Sequence, residues 1–179
     1  MNVLLTIKED GIIPGSPDPG QLEVDESNFK VREAARAVLL DNDGQVYLLY
    51  VAKHGYHKLP GGGIDEGEEI LQALERELME EVGCKAEIIS ELGIIVEFRT
   101  YDDGKLKQTS YCYLARQVGE QVESSLEEGE IEEGLTEVKA GSIDEAIALL
   151  ERDEPDNLEG KFIQKRDLAF LREAKAKNF

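Results

Sequence analysis

The sequence predicts a fold of the α/β (α+β) class, in which strands and helices share one core. Runs rich in β-branched and aromatic residues alternate with short turn segments, which is typical of β-strands. A segment near the middle of the chain has apolar residues at the spacing of an amphipathic helix, and further helices are indicated near the C-terminus. The chain has 179 residues, 41% of them hydrophobic, which is enough for the core of one domain.

Strand composition is found at residues 3–7, 31–40, 45–52, 85–99, 107–117 and 135–139. The turn Asp41-Asn42-Asp43-Gly44 predicts that the second and third strands form an antiparallel pair, and a turn at residues 101–104 predicts the same for the fourth and fifth. A stretch rich in Gly, Pro and Asp at residues 11–20 reads as a loop. We therefore assign residues 1–30 to an N-terminal arm of one strand and a loop, and residues 31–179 to the main domain.

Three helices are predicted. The first lies within residues 61–84, the second begins at a capping box formed by Ser142 and Glu145, and the third follows a loop at residues 153–160. Residues 119–134 contain seven glutamates and little apolar content, so we expect most of this segment to be a mobile loop.

The net charge of −19, from 20 basic and 39 acidic residues, disfavours binding to a nucleic acid polymer or to an anionic membrane. No segment approaches the ~20 apolar residues that a membrane span requires. We therefore expect a soluble, cytoplasmic protein. Its two cysteines, Cys84 and Cys112, are expected to be reduced and buried.

The central helix is predicted to have two different faces. Glu77, Glu80 and Glu81 are three and four residues apart and project from one side. A separate apolar stripe that can pack on a core is formed by Leu71, Leu74, Leu78 and Val82. Three clustered carboxylates repel one another unless they bind a cation, and a site with only oxygen ligands suits Mg²⁺ or Mn²⁺. The three glutamates by themselves leave a second interpretation open, in which this face is only a solvated acidic surface.

The residues around this cluster follow a fixed pattern. Five residues separate Gly62 from Glu68, and seven separate Glu68 from the run Arg76-Glu77-Leu78. One residue then precedes Glu80-Glu81, and one more precedes Gly83. This pattern resembles the signature of the Nudix hydrolases, with Cys84 in place of the usual aliphatic residue. The resemblance implies an α/β/α sandwich with a mixed β-sheet between helices. It also implies hydrolysis of a diphosphate linked to another moiety.

Roles for individual residues follow from the same resemblance. Glu77, Glu80 and Glu81 are expected to bind the metal ion, and one of them could act as the base through a water molecule. Glu68 and Arg76 are expected to orient the glutamates. In the family a carboxylate from a later loop often completes the metal site or serves as the base, and Glu130 matches it best, with Glu128 as the competitor.

Candidate substrate-binding residues lie upstream of the helix. Arg32 and Arg36 share one face of a predicted strand, where they could hold phosphates or pair with glutamates. Lys53, His57 and Lys58 lead into the glycine loop, although a lone histidine is more often structural. The glycines of that loop, whose backbone can approach a phosphate closely, are Gly61, Gly62 and Gly63.

The expected activity is that of a Mg²⁺-dependent pyrophosphohydrolase. The most frequent substrate class in the family is a nucleoside triphosphate or a modified nucleotide. A dinucleoside polyphosphate or nucleotide-sugar hydrolase is an alternative, as is a non-catalytic nucleotide-binding regulatory module. The expected partner is a small-molecule nucleotide, and a homodimer is possible because dimers are frequent among relatives.

Overall fold

The computed structural model describes residues 1–10, 29–101 and 104–177. In these ranges the chain forms seven strands in one sheet and four helices. The strands are β1 (Val3–Lys8), β2 (Phe29–Leu40), β3 (Val46–Val51), β4 (Tyr56–Lys58), β5 (Lys85–Tyr101), β6 (Gly104–Val118) and β7 (Leu135–Ala140). The helices are α1 (Ile70–Glu81), α2 (Glu128–Glu132), α3 (Ile143–Arg152) and α4 (Leu158–Ala176). The predicted loop at residues 11–20 lies outside the described ranges.

The sheet is mixed, as predicted. Its strand order is β1-β5-β6-β2-β3-β4, and β7 pairs with β3. β1 runs parallel to β5 and β2 runs parallel to β6, whereas the other pairs are antiparallel. The β5–β6 hairpin forms as the sequence predicts.

The predicted pairing of β2 with β3 is largely wrong, because only Leu40 and Val46 are paired between these strands. A loop that follows β4 takes the place of β3 along the rest of this edge. The N–H groups of Ala35 and Ala37 on β2 donate to the carbonyl oxygens of Gly62 and Pro60, at 3.0 and 3.1 Å. The glycine loop is thus inserted into the sheet as a short extra strand, and this insertion fixes its position.

Helices cover both faces of the sheet. One face packs against α3 and α4, with Val38, Leu114 and Phe170 in the shared core. The opposite face packs against α1, whose Leu74, Leu78 and Val82 are buried as predicted. This arrangement agrees with the predicted sandwich of a mixed sheet between helices.

Three details differ from the sequence predictions. Leu71 is 50% exposed, and Ala73 is buried in the core instead, so the apolar face of α1 is rotated at its first turn. The segment expected to be a loop contains α2 in its second half, where the side chains of Glu127 and Glu130 cap each other's backbone N–H groups. At α3 the Ser142 hydroxyl accepts from the Glu145 N–H, as expected for a capping box. The Glu145 carboxylate accepts from the backbone N–H of Gly141, whereas the capping box predicts the N–H of Ser142.

Both cysteines are buried free thiols, as predicted. Cys84 packs in the apolar cluster around α1, at the position where an aliphatic residue is usual. Among the described residues, no helix combines the length and the apolar character that crossing a membrane requires.

Candidate active site

The glycine loop passes close to the sheet and to α1. Gly61 has a φ of 122°, and a Cβ atom there would lie 2.2 Å from the Ala35 carbonyl oxygen. A Cβ atom at Gly62 would lie 2.3 Å from a carboxylate oxygen of Glu77. Glycine is needed at both positions, but for different reasons. A side chain at position 61 would collide with the backbone of β2, and one at position 62 would collide with the Glu77 carboxylate.

Glu81 is the most enclosed carboxylate of α1, with 3% of its surface exposed. One oxygen accepts from the Gly61 N–H at 2.6 Å, and the other is 2.8 Å from the Lys58 ammonium. The end of β4 and the glycine loop thus fix this carboxylate from two sides.

Arg76 holds the other acidic side chains of the motif. Its guanidinium donates to Glu68, Glu77 and Glu80 at distances of 2.8 to 3.0 Å. It also donates to the Gly63 carbonyl oxygen at 2.9 Å, which ties α1 to the glycine loop. Hydrogen bonds from Arg76 lower the pKa of Glu68.

The carboxylates nearest the cavity repel one another. Burial raises the pKa of Glu77, and the charge of Glu81 raises it further. Burial and the proximity of Glu81 likewise raise the pKa of Glu130 to about 7. Helix α2 brings Glu130 opposite α1, whereas the competing candidate Glu128 does not line the cavity.

A cavity of about 430 Å³ lies between α1, α2, α4, β2 and the glycine loop. Its lining includes ten of the predicted site residues: Arg32, Arg36, Lys58, Gly61, Gly62, Gly63, Arg76, Glu77, Glu81 and Glu130. Four others do not line it: Glu68 and Glu80, which contact Arg76, and Lys53 and His57.

His57 is held by a different set of contacts. Its Nδ1 atom is 2.9 Å from Asp153, which also accepts from the His57 backbone N–H at 2.6 Å. The ring lies 4.8 Å from that of Tyr50. His57 therefore ties β4 to the end of α3, and the structure does not bring it or Lys53 to the cavity.

Arg36 is buried in the wall of the cavity. Its Nη1 atom donates to the Gly61 carbonyl oxygen, and its Nε atom has no partner among the described residues. Burial lowers the pKa of Arg36 to about 10. Arg32 is exposed and donates to Gln108 at 3.4 Å. Arg36 thus has one unsatisfied donor, its Nε atom, which is shielded from solvent.

Sequence reasoning missed several lining residues. Tyr56, Asp65, Glu127, Glu133, Glu159 and Ile163 also line the cavity. Glu159 and Ile163 belong to α4, nearly eighty residues beyond α1 in the sequence. No motif marks them, and only the packing of α4 against β4 and β5 brings them near the glycine loop.

The donor chemistry of the site fits a hard divalent cation. Several carboxylates line the cavity, and the pKa values of Glu77 and Glu130 are raised first by burial and then by the charge of Glu81, both of which a cation would counteract. Within the described ranges, no three His, Cys, Asp or Glu side chains are grouped so that they could hold a metal ion as they are now oriented. Lys58 pairs with one oxygen of Glu81, and Arg76 pairs with one oxygen each of Glu77 and Glu80.

The fold is a mixed sheet between helices, and acidic and basic side chains meet at its glycine loop. Comparison with known proteins gives the family. Residues 30–162 match the NUDIX domain family, and the chain therefore belongs to the Nudix hydrolase superfamily, as its motif predicts.

Individual relatives match over shorter stretches. The RNA pyrophosphohydrolase of Aeromonas hydrophila is 44% identical over 55 residues, which is 30% of this chain and 30% of the relative. That of Ruthia magnifica is 40% identical over 85 residues, 45% of this chain and 48% of the relative. The chain thus spans less than half the length of these curated relatives.

The crystal structure of the MutT protein from Methanosarcina mazei has the same fold. Its TM-score is 0.58 at 15% identity, covering 84% of this chain and 98% of that one. At this identity the likeness concerns the fold alone.

Proposed function

We propose that this chain is a Mg²⁺- or Mn²⁺-dependent pyrophosphohydrolase that cleaves a nucleoside triphosphate or a modified nucleotide. One observation supports this proposal above all. Seven carboxylates and four cationic side chains line the same cavity beside the glycine loop, among them Glu77, Glu81, Glu130, Arg32, Arg36 and Lys58. A polyphosphate with bound divalent cations has the matching distribution of charge.

In this proposal the metal ligands are Glu77 and Glu81, which line the cavity, together with Glu80, which does not line it here and contacts Arg76. A bound divalent cation would neutralise the substrate's charge, polarise a phosphorus–oxygen bond and lower the pKa of a bound water. Arg76 keeps the carboxylates in place through its contacts with Glu77, Glu80 and Glu68. We propose that Glu130, which lies near Glu81 in the lining of the cavity, completes the set or takes a proton from the attacking water.

The cationic side of the cavity is proposed to hold the substrate. Arg36 has a buried guanidinium with one donor unpaired, and Arg32 stands at the exposed end of the same strand face. Arginine is well suited to planar contacts with phosphate, and both arginines line the cavity. Lys58, beside Glu81, is near enough to balance charge at the reacting group.

A second candidate substrate is the 5′-triphosphate end of RNA. The names of the curated relatives favour it, since they are RNA pyrophosphohydrolases. The net charge of −19 opposes binding of the polymer beyond its terminal nucleotides. A free nucleotide therefore remains the first choice.

The test is product chromatography after incubation with Mg²⁺ and a panel of nucleoside triphosphates, oxidised nucleotides, dinucleoside polyphosphates, nucleotide sugars and a 5′-triphosphate RNA oligonucleotide. We expect one class to be cleaved with release of pyrophosphate or a mononucleotide. Glu81→Gln should lose at least about a hundredfold in kcat, since it removes a charge that binds the metal. Glu128→Gln, on α2 but away from the cavity, is the matched control. No turnover of any substrate by the wild-type protein would refute an enzyme of this class and favour a binding role.

A further inference from the structure

Helix α4 carries a buried ion pair directly beneath the glycine loop. Asp167 is 0% exposed and Arg166 is 1% exposed. The Nε and Nη2 atoms of Arg166 donate to the two oxygens of Asp167 at 2.7 and 3.2 Å. The Nη1 atom of Arg166 is 3.6 Å from a carboxylate oxygen of Glu97 on β5, which is also buried. The guanidinium therefore lies between two carboxylates and fixes the orientation of Asp167.

Asp167 in turn contacts the chain that leads into the glycine loop. Its Oδ2 atom accepts from the backbone N–H of Leu59 at 2.8 Å. Leu59 follows the last residue of β4 and precedes the segment that pairs with β2, and its side chain is fully buried. This hydrogen bond is thus the link between α4 and the start of the loop.

Two residues close to Leu59 in the chain, Lys58 and Gly61, both contact Glu81. Lys58 reaches one oxygen of that carboxylate, and the Gly61 N–H donates to the other. A shift of Leu59 would move both donors together, because they are one and two residues away along the same chain. The position of Glu81 in the cavity therefore depends on an anchor 86 residues further on in the sequence.

Stability alone is a weak explanation for this ion pair. Burying two charges costs much of what their attraction returns, and apolar replacements are often as stable. A single neutral acceptor could also satisfy the Leu59 N–H. A carboxylate held by a guanidinium differs from such an acceptor because it cannot rotate. Similar contacts orient the side chains that bind metal ions.

We propose that Asp167, held in place by Arg166, is a positioning residue of the active site, which fixes Leu59 and thereby sets Lys58 and Gly61 on Glu81. The charge of Asp167 also offsets the repulsion between the neighbouring buried cations Arg166 and Arg36. Helix α4 is in this sense part of the catalytic apparatus, although none of its residues belongs to the family motif.

Asp167→Asn is the direct test, because the amide has the shape of the carboxylate but only one acceptor oxygen. It carries no charge, and its NH2 group would face a donor of Arg166 or of Leu59, so it cannot keep all three hydrogen bonds that Asp167 accepts. We expect kcat to fall at least tenfold while KM changes less than threefold, since the substrate-holding arginines remain. We also expect faster amide hydrogen exchange at Leu59 and Gly61 in the metal-free protein. Arg172→Ala, on the same helix as Asp167, removes an exposed ion pair with Glu151 of α3 and should change neither kcat nor the exchange rates.

The change in kcat and the change in hydrogen-exchange rates together separate a positioning role of Asp167 from a purely structural one. A folded Asp167→Asn protein that keeps kcat within threefold, or loses kcat without faster exchange at Gly61, would overturn the proposal. If that variant does not fold, Arg166→Lys decides by the same two readings, because it keeps the charge but not the paired donors. The activity reading rests on the proposed function, whereas the exchange reading does not. A wild-type protein without turnover therefore refutes the function, and exchange at Gly61 then decides the positioning role alone.

Discussion

Replacement of Gly62 by alanine should abolish most activity while leaving the fold intact. The added methyl group would lie 2.3 to 2.4 Å from the carboxylate atoms of Glu77, whereas ordinary contacts begin near 3.4 Å. The carboxylate must therefore move by about 1 Å, a displacement that typically costs on the order of a hundredfold in rate when a catalytic group is misplaced. That factor corresponds to about 2.7 kcal/mol of activation free energy.

The cost to folding should be much smaller. The displaced atoms are the end of a flexible side chain, so we expect a loss of less than about 1 kcal/mol in the free energy of unfolding. The arginine partner of Glu77 can follow part of the movement, since 29% of its side-chain surface is exposed. Activity and stability should thus separate in this variant.

The assay compares kcat at saturating Mg²⁺ with the midpoint of thermal unfolding. Gly104→Ala is the control, because it does not line the cavity and its added methyl group would lie 3.9 Å from the Tyr101 carbonyl oxygen, an ordinary contact. A Gly62→Ala protein with kcat within threefold of the Gly104→Ala protein would refute the reasoning. So would a loss of stability large enough to explain the loss of activity.

Three further outcomes are expected. Gly61→Ala should lower the free energy of unfolding by about 2 to 4 kcal/mol in denaturant titrations, because its methyl group would meet the Ala35 carbonyl oxygen at 2.2 Å and its φ is 122°. Asp41 should contribute to stability above about pH 4 and lose this contribution in acid. Burial opposes its charge, but hydrogen bonds from two backbone N–H groups and a lysine lower its folded-state pKa below the unfolded value. The advantage of the wild type over Asp41→Asn should therefore shrink as the pH falls from about 4 to about 2, and a constant difference would contradict this. Cys84, whose pKa is raised to about 11 by burial, should react with a thiol reagent at pH 8 only when the protein unfolds, and rapid reaction of the native protein would show that the thiol is accessible.

Part of the site could be predicted because its geometry is local. The positions of Glu77, Glu80 and Glu81 on one side of α1 follow from the period of the helix. The contacts of Arg76 with Glu77 and Glu80, one and four residues further on, are likewise local to the helix. The β5–β6 hairpin was also predictable, since its two strands are adjacent in sequence.

Other features depended on parts of the chain that are distant in sequence. Strand β3 does not pair along β2, because the glycine loop takes that edge. Periodicity identifies both strands but not which segment lies beside them. The pairing of His57 with Asp153 was unpredictable for the same reason, since the two are 96 residues apart.

The sequence by itself determined the family, the acidic face of α1 and most residues that line the cavity, because spacing along a helix or strand dictates which side chains share a face. Only the tertiary structure decided that Glu81 and Glu77, but not Glu80, reach the cavity, and that α4 supplies Glu159 and the Asp167 anchor. The physical reason is that side-chain direction is set by the nearest few residues. Which surfaces meet is set instead by the burial of the whole apolar core.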